Sequence, residues 1–391
     1  MDKITNSIYM DNSASTRMDE RVLEAMRPYF FDKYAVATSD FGYSMGIDAK
    51  QALAESRSAI ARSINAGDNE IIFTSGFTES NNLAIKGVLK ALKKQGKNHV
   101  ISSTIEDFSV RNTLQKLAKE DVDVTFIPVN SEGFVDSEKL ADAINDKTAL
   151  VTVQTANQEI GTLQDIEKIG EICSQSNVYF HTDATHAYKR IDIDVSELNI
   201  DLMTMDSMMI HGPRGIGALY MRKGVELAKI MDGGYQEFDK RAGPENIPGA
   251  VGFAKAVELI DEKENQKIKE MTDYLRGKLL SEIKDTTLNG SADRRIPHNV
   301  NVTFHYVEGE SITLHLDMRG IAVSTGSACF SKSLEASHVI MGIGGDHERA
   351  HGSVRFTLSR FNTKKEIDAV VEAMKDIIEN LRRISPLKKK E

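Results

Sequence analysis

The stretch Ile71-Ile72-Phe73-Thr74-Ser75-Gly76-Phe77-Thr78-Glu79-Ser80-Asn81-Asn82 runs from an apolar, β-prone segment through a turn of small residues into a helical pattern. Glycine lets a backbone approach an anion closely, and hydroxyls and a helix N-terminus donate hydrogen bonds to it, so the stretch reads as a phosphate cup. A capped helix start that holds no ligand reads equally from the same residues. Outward from it the same alternation continues to about Arg222. Short β-rich runs recur at His99-Val100-Ile101, Val124-Thr125-Phe126-Ile127, Leu150-Val151-Thr152-Val153, Val178-Tyr179-Phe180, Leu202-Met203-Thr204-Met205 and Gly217-Ala218-Leu219-Tyr220, with helical patterns between them. That alternation predicts an α/β fold whose sheet is mostly parallel and covered by helices on both faces. Ligands of such sheets sit at the strand C-terminal ends, so the loops after these runs are where chemistry is expected.

From about Lys255 the pattern changes to a long charged helical stretch, then strands near Asn299–Phe304 and Val354–Leu358, and a last helix from about Lys364 to Arg383. The expected division is a large domain over 15–254 and a small α+β domain made of 1–14 with 255–391. At 391 residues, 40% of them hydrophobic, the chain is long enough for two cores. The net charge of -9 with scattered basic residues argues against nucleic acid and anionic lipid. The start Met1-Asp2-Lys3-Ile4-Thr5-Asn6 has no signal pattern and no apolar run spans a bilayer, so a soluble cytoplasmic protein is expected, without membrane attachment.

Besides the cup, two stretches stand where chemistry is expected. Asp183, in His181-Thr182-Asp183-Ala184-Thr185-His186, ends an apolar run and suits either a protonated heterocycle nitrogen or the cap of the next helix. Ser324-Thr325-Gly326-Ser327-Ala328-Cys329-Phe330-Ser331-Lys332-Ser333 carries one of the two cysteines among small neighbours, which keep a thiol exposed and mobile. The other, Cys173, falls in the helical pattern Ile169-Gly170-Glu171-Ile172-Cys173 and reads as core. The spacing His347-Glu348-Arg349-Ala350-His351 fits a zinc-protease helix, but it runs at once into the strand-like Gly352-Ser353-Val354-Arg355-Phe356, so no long helix presenting both rings is expected.

Together these stretches resemble the NifS/IscS-type cysteine desulfurases, from Tyr9-Met10-Asp11-Asn12-Ser13-Ala14-Ser15-Thr16 through the cup, Ala156-Asn157-Gln158-Glu159-Ile160-Gly161 and Asp183 to the Cys329 stretch and His351-Gly352-Ser353-Val354-Arg355-Phe356. The resemblance implies a homodimer of the fold-type I pyridoxal-phosphate enzymes, which take sulfur from cysteine as a persulfide. It implies Thr78 on the cofactor phosphate, Asn157 on the ring oxygen, Asp183 on the pyridine nitrogen, Arg355 on the substrate carboxylate and Cys329 as the persulfide nucleophile.

The resemblance breaks at the cofactor. Where the family has Ser-Gly-His-Lys-Ile-Tyr-Gly-Pro-Lys-Gly, this chain has Asp206-Ser207-Met208-Met209-Ile210-His211-Gly212-Pro213-Arg214-Gly215. The Schiff-base lysine is therefore Met209, and a thioether cannot form an imine. The stacking histidine becomes Asp107, the glutamine after the pyridine aspartate becomes His186, the phosphate-binding serine becomes Asp206, and the partner-subunit threonine becomes Pro244. Met203, Met205, Met208 and Met209 read as flexible apolar filler. The expectation is a vestigial pyridoxal-phosphate site in a desulfurase-like protein of iron–sulfur cluster assembly. It binds the cofactor without a covalent bond or not at all, docks a scaffold protein, and offers Cys329 as an iron–sulfur cluster ligand or sulfur carrier. The alternatives are an active desulfurase with noncovalent or unusual cofactor binding, and a purely structural subunit.

Overall fold

The computed structural model describes residues 7–326 and 336–386. Twelve strands form three sheets: β1 (Ile8–Tyr9), β2 (Ile71–Thr74), β3 (His99–Ser103), β4 (Asp123–Ile127), β5 (Thr148–Thr152), β6 (Tyr179–Asp183), β7 (Leu202–Asp206), β8 (Gly217–Met221), β9 (Thr286–Leu288), β10 (Asn299–Phe304), β11 (Ile321–Ala322) and β12 (Ser353–Thr357). The main sheet has the order β2-β8-β7-β6-β5-β3-β4. Strand β8 runs against both neighbours, and every other pairing in it is parallel. The α/β class with a mostly parallel sheet, expected from the alternation, is what the chain adopts.

Successive residues of a strand point to opposite faces. Phe73, Ile101, Val151 and Met203 accordingly join one apolar cluster, while their predecessors Ile72, Val100, Leu150 and Leu202 join another. Burial on both sides explains why these strands read as continuous apolar runs. The helix Phe77–Leu92 packs on the second face through Leu83, Ala84 and Val88.

Beyond it, β9, β10 and β12 make an antiparallel sheet covered by the helices Glu262–Glu282 and Lys364–Ile384. The last helix opens on a capping box, with Thr363 and Glu366 each bonded to the other's amide. Strand β1 pairs in parallel with β11, and Asp11 bridges to Thr357, so the early chain is held against this second sheet. Among the described residues, no helix is long and apolar enough to cross a membrane.

Candidate active site

Because β2, β3, β5, β6 and β7 share one direction, their C-terminal ends deliver Gly76, Asp107, Asn157, Asp183 and Asp206 to one edge of the sheet. Gly76 has φ +145, a conformation open chiefly to glycine, and a Cβ on Gly217 would stand 2.7 Å from its Cα. This close crossing of β8 under the turn lets the helix Phe77–Leu92 start directly above β7. Asp206, at the end of β7, then reaches that helix start. Its Oδ2 accepts from the Phe77 amide at 2.9 Å and its Oδ1 from the Met208 amide at 2.7 Å. The neighbouring amides are also taken by the chain's own side chains: Ser75 donates to Glu79 Oε2 at 2.8 Å and Gly76 to Thr74 Oγ1 at 3.3 Å. Glu79 is held in turn by Arg241 at 2.9 Å.

A second set of polar groups lies beside this one. Asn81 donates to both Asp183 Oδ2 and Ser109 Oγ, each at 2.7 Å, and Ser109 donates to Asp107 Oδ1 at 2.7 Å. Asp107 also caps the helix Phe108–Leu117 through the Ser109 amide. Burial, with the Asp107 charge added, pushes Asp183 up to about 6. Asp206 is likewise pushed up to about 6 by burial, against the amides that favour its ionised form. Glu106, fully buried and accepting from Ser103 and the Gln154 amide, is pushed up to about 8. Burial lowers His186 to about 4, and its Nδ1 has no partner.

The other expected site residues occupy varied surroundings. Thr78 is exposed in the first turn of its helix. Asn157 is buried, with Nδ2 on the Ile105 carbonyl at 3.0 Å and Oδ1 accepting from the Glu159 and Ile160 amides at 2.9 Å. Arg355 lies 2.8 Å from Asp11 and donates to the Gln158 carbonyl at 3.3 Å, leaving its Nε unpartnered. Met209 is buried in the 3-10 turn Met208–Ile210, and Met203 and Met205 are fully buried core residues. Cys329 lies outside the described residues. Cys173 is buried, and burial pushes its thiol up. The segment His347–His351 is a helix of five residues, and no metal-holding cluster of His, Cys, Asp or Glu exists among the described residues.

The sequence reading did not single out Asn81, Glu79, Glu106 or Glu159. Asn81 follows Ser80 inside the cup stretch and so carried a signal of position. Glu159 shows itself only in three dimensions: it is buried and bonded to Ser337, and its Oε1 lies where a Cβ on Gly326 would stand.

The buried acids fix a pH dependence. Asp206 holds its proton more tightly folded than at its ordinary 3.8, so the stability it contributes is complete below that value and is lost as pH rises through about 6. Buried neutral imidazoles such as His181, lowered to about 3, act oppositely and lose stability as pH falls below 6.5. A difference measurement isolates Asp206: Asp206→Asn is expected to gain about 3 kcal/mol over the parent between roughly pH 4 and pH 8. Denaturant midpoints of the two proteins across that range provide the check, and a pH-independent difference would refute it.

A mostly parallel sheet with polar groups gathered at its C-terminal edge is the architecture of the fold-type I pyridoxal enzymes. The aminotransferase class-V family model matches residues 8–370. The chain is 45% identical over 389 residues to the cysteine desulfurase IscS of Clostridium botulinum strain Hall, covering 98% of this chain and 97% of that one. It is 44% identical to the mitochondrial cysteine desulfurase of Saccharomyces cerevisiae, covering 98% of this chain and 77% of that one. A solved structure described as a NifS-like protein superposes with a TM-score of 0.89 at 31% identity, over 96% of this chain and all of that one. The chain belongs to the class-V aminotransferase family, within its NifS/IscS-type cysteine desulfurases. Pyridoxal phosphate is the cofactor expected of that family.

Proposed function

We propose that this chain is a desulfurase-like protein of iron–sulfur cluster assembly that has given up pyridoxal chemistry and acts through Cys329. One observation carries the reading: the amides of Ser75, Gly76 and Phe77, which open the cup, are all bonded to side chains of the chain itself. Asp206 is ionised at neutral pH with a value of about 6, so it presents a negative charge to any incoming phosphate. The residues here do not suit the cofactor: Met209 has no amine, and the acids Asp206 and Asp107 flank the place where phosphate and ring would lie.

In this reading Thr78, Asn157 and Asp183 are remnants of the cofactor site, and Arg355, occupied by Asp11, no longer serves a substrate. Cys329 keeps its role because a soft thiolate suits iron and sulfide, and thiolates from a scaffold protein would complete a cluster's ligands. The chain works as a homodimer, an assignment supported by Phe31, Tyr34, Phe41 and Tyr43, which are 69%, 70%, 99% and 52% exposed within one short stretch.

Two measurements test this. The purified protein is expected to be colourless, to stay so with added pyridoxal phosphate, and to release no alanine from cysteine. Cluster formation on the partner scaffold is expected to fall at least about tenfold with Cys329→Ala, on the scale of losing one of four ligands. A yellow protein that liberates sulfide would restore the active enzyme, and an inert Cys329→Ala substitution would leave a structural subunit.

A further inference from the structure

At the opposite edge of the main sheet, below the N-terminal ends of β3 and β5, lies a groove of about 620 Å³ that the proposed function does not use. Its floor is apolar, made by Leu89, Leu117 and Val122. Lys86, Lys90, Lys93, Lys97 and Lys147 line it, opposed by Glu120 and Asp121. Lys86, Lys90 and Lys93 follow spacings of four and three residues along the helix Phe77–Leu92 and into the 3-10 turn Lys93–Gln95, which brings them to one side, while Lys97 comes from the chain after the left-handed Gly96. Among the described residues none of the five is ion-paired. Lys90 donates to the Lys229 carbonyl at 3.1 Å and Lys97 to the Thr148 carbonyl at 3.2 Å, while Glu120 faces Lys116 instead at 3.9 Å. Basic residues that are scattered along the sequence are thus gathered here, on a chain whose net charge is -9.

We infer that this groove docks an extended acidic segment of a partner protein, with an aliphatic side chain of that segment seated on Leu89, Leu117 and Val122. Charge complementarity selects the occupant. Ammonium groups without an ion-pair partner, on stems exposed at Lys90, Lys93 and Lys147 and half-buried at Lys86 and Lys97, attract carboxylates and steer their approach, and they do so most at low salt. A concave apolar floor fits an aliphatic side chain better than a flat lipid surface or a phosphate backbone, and the carboxylates of Glu120 and Asp121 leave the anionic contacts to the lysine side of the groove. The groove lies at the far edge of the sheet from Asp206 and Met209, so its occupation leaves the former cofactor site untouched. The inference therefore does not depend on the fate of pyridoxal chemistry.

The probe is a fluorescein-labelled peptide of glutamates interrupted by leucines, titrated with the full chain and followed by anisotropy. Binding is expected to weaken at least about tenfold with Lys90→Glu/Lys93→Glu, and by a similar factor when salt rises from about 50 to about 500 mM. The surface control Lys364→Glu/Lys365→Glu is expected to bind as the parent does. A peptide with serine in place of leucine is expected to bind several-fold more weakly, because the floor is then left uncovered. Equal binding by the parent and Lys90→Glu/Lys93→Glu overturns the inference. So does tighter binding of single-stranded RNA or of phosphatidylglycerol vesicles that the same variant abolishes. All the substituted lysines lie on the surface, and unchanged thermal melts confirm that each variant is folded.

Discussion

Met209→Lys alone is expected to leave the protein colourless in pyridoxal phosphate, whereas Asp206→Ser/Met209→Lys is expected to turn yellow and to bind the cofactor on the order of a thousandfold more tightly than the single variant. A lysine at position 209 would enter a turn whose own backbone bonds to Asp206. The nearby carboxylate would hold its amine in the charged form, which is not a nucleophile. The same carboxylate caps the Phe77 amide at the helix start, so an arriving phosphate finds a donor already engaged and a like charge beside it. At an effective dielectric of about 20, one such pair at about 4 Å costs roughly 4 kcal/mol, which is the thousandfold difference. Serine removes the charge and returns a hydroxyl donor. Titration followed by absorbance distinguishes the variants. Equal affinity in the single and double variants would sink the role given to Asp206, whatever became of the natural protein's activity.

Glu237→Ala is expected to destabilise the fold by about 3–5 kcal/mol, the usual result of stranding one partner of a buried ion pair. Glu237 and Arg57 form two parallel bonds of 2.7 Å, and Glu237 also accepts from the Phe73 amide at 2.8 Å. Their side chains are 4% and 10% exposed, so little water is present to replace a lost partner. Arg57 also lies over the rings of Phe73 and Phe238, at 4.8 and 5.0 Å. Glu237, Phe238 and Asp239 have φ of 48, 57 and 60, an unfavourable run for residues with side chains, and the pair holds this run in place. Replacing both partners, as Arg57→Met/Glu237→Leu, is expected to recover most of the loss because no charge is left buried. Denaturant titration reads both changes. A Glu237→Ala midpoint close to the parent's would show that the arginine finds water or another acceptor. The pair also bears on the cup, since the same segment continues to Arg241, which holds Glu79.

The main sheet was legible because its strands, the edge strand β4 apart, are buried on both faces and so appear as apolar runs. The seven runs from Ile71 to Tyr220 correspond to β2 through β8 with ends shifted by up to three residues. The reversed direction of β8 was not legible, because burial on both faces gives parallel and antiparallel strands the same pattern. At the site, the residue types were readable but their pairings were not. Asp206 and Phe77 are 129 positions apart, and nothing local to either shows that one accepts from the other. Asp107 is different: its place two residues before Ser109, at a helix start, is a local cap that the sequence could have revealed. The lysine groove was missed for a related reason. The helical spacing of Lys86, Lys90 and Lys93 was present in the sequence, but Lys97, Lys147 and the floor residues Leu117 and Val122 come from other parts of the chain.

A protein completed by a separate small molecule is stabilised in proportion to how much of that molecule its surroundings supply. Asp206 is part of the polypeptide, so every copy emerging from the ribosome already carries the side chain that accepts from its helix's first amide. On the function proposed above, the amount of this protein that stays folded would then be independent of vitamin B6 nutrition. A cell starved of the vitamin would lose its pyridoxal enzymes while keeping this one intact.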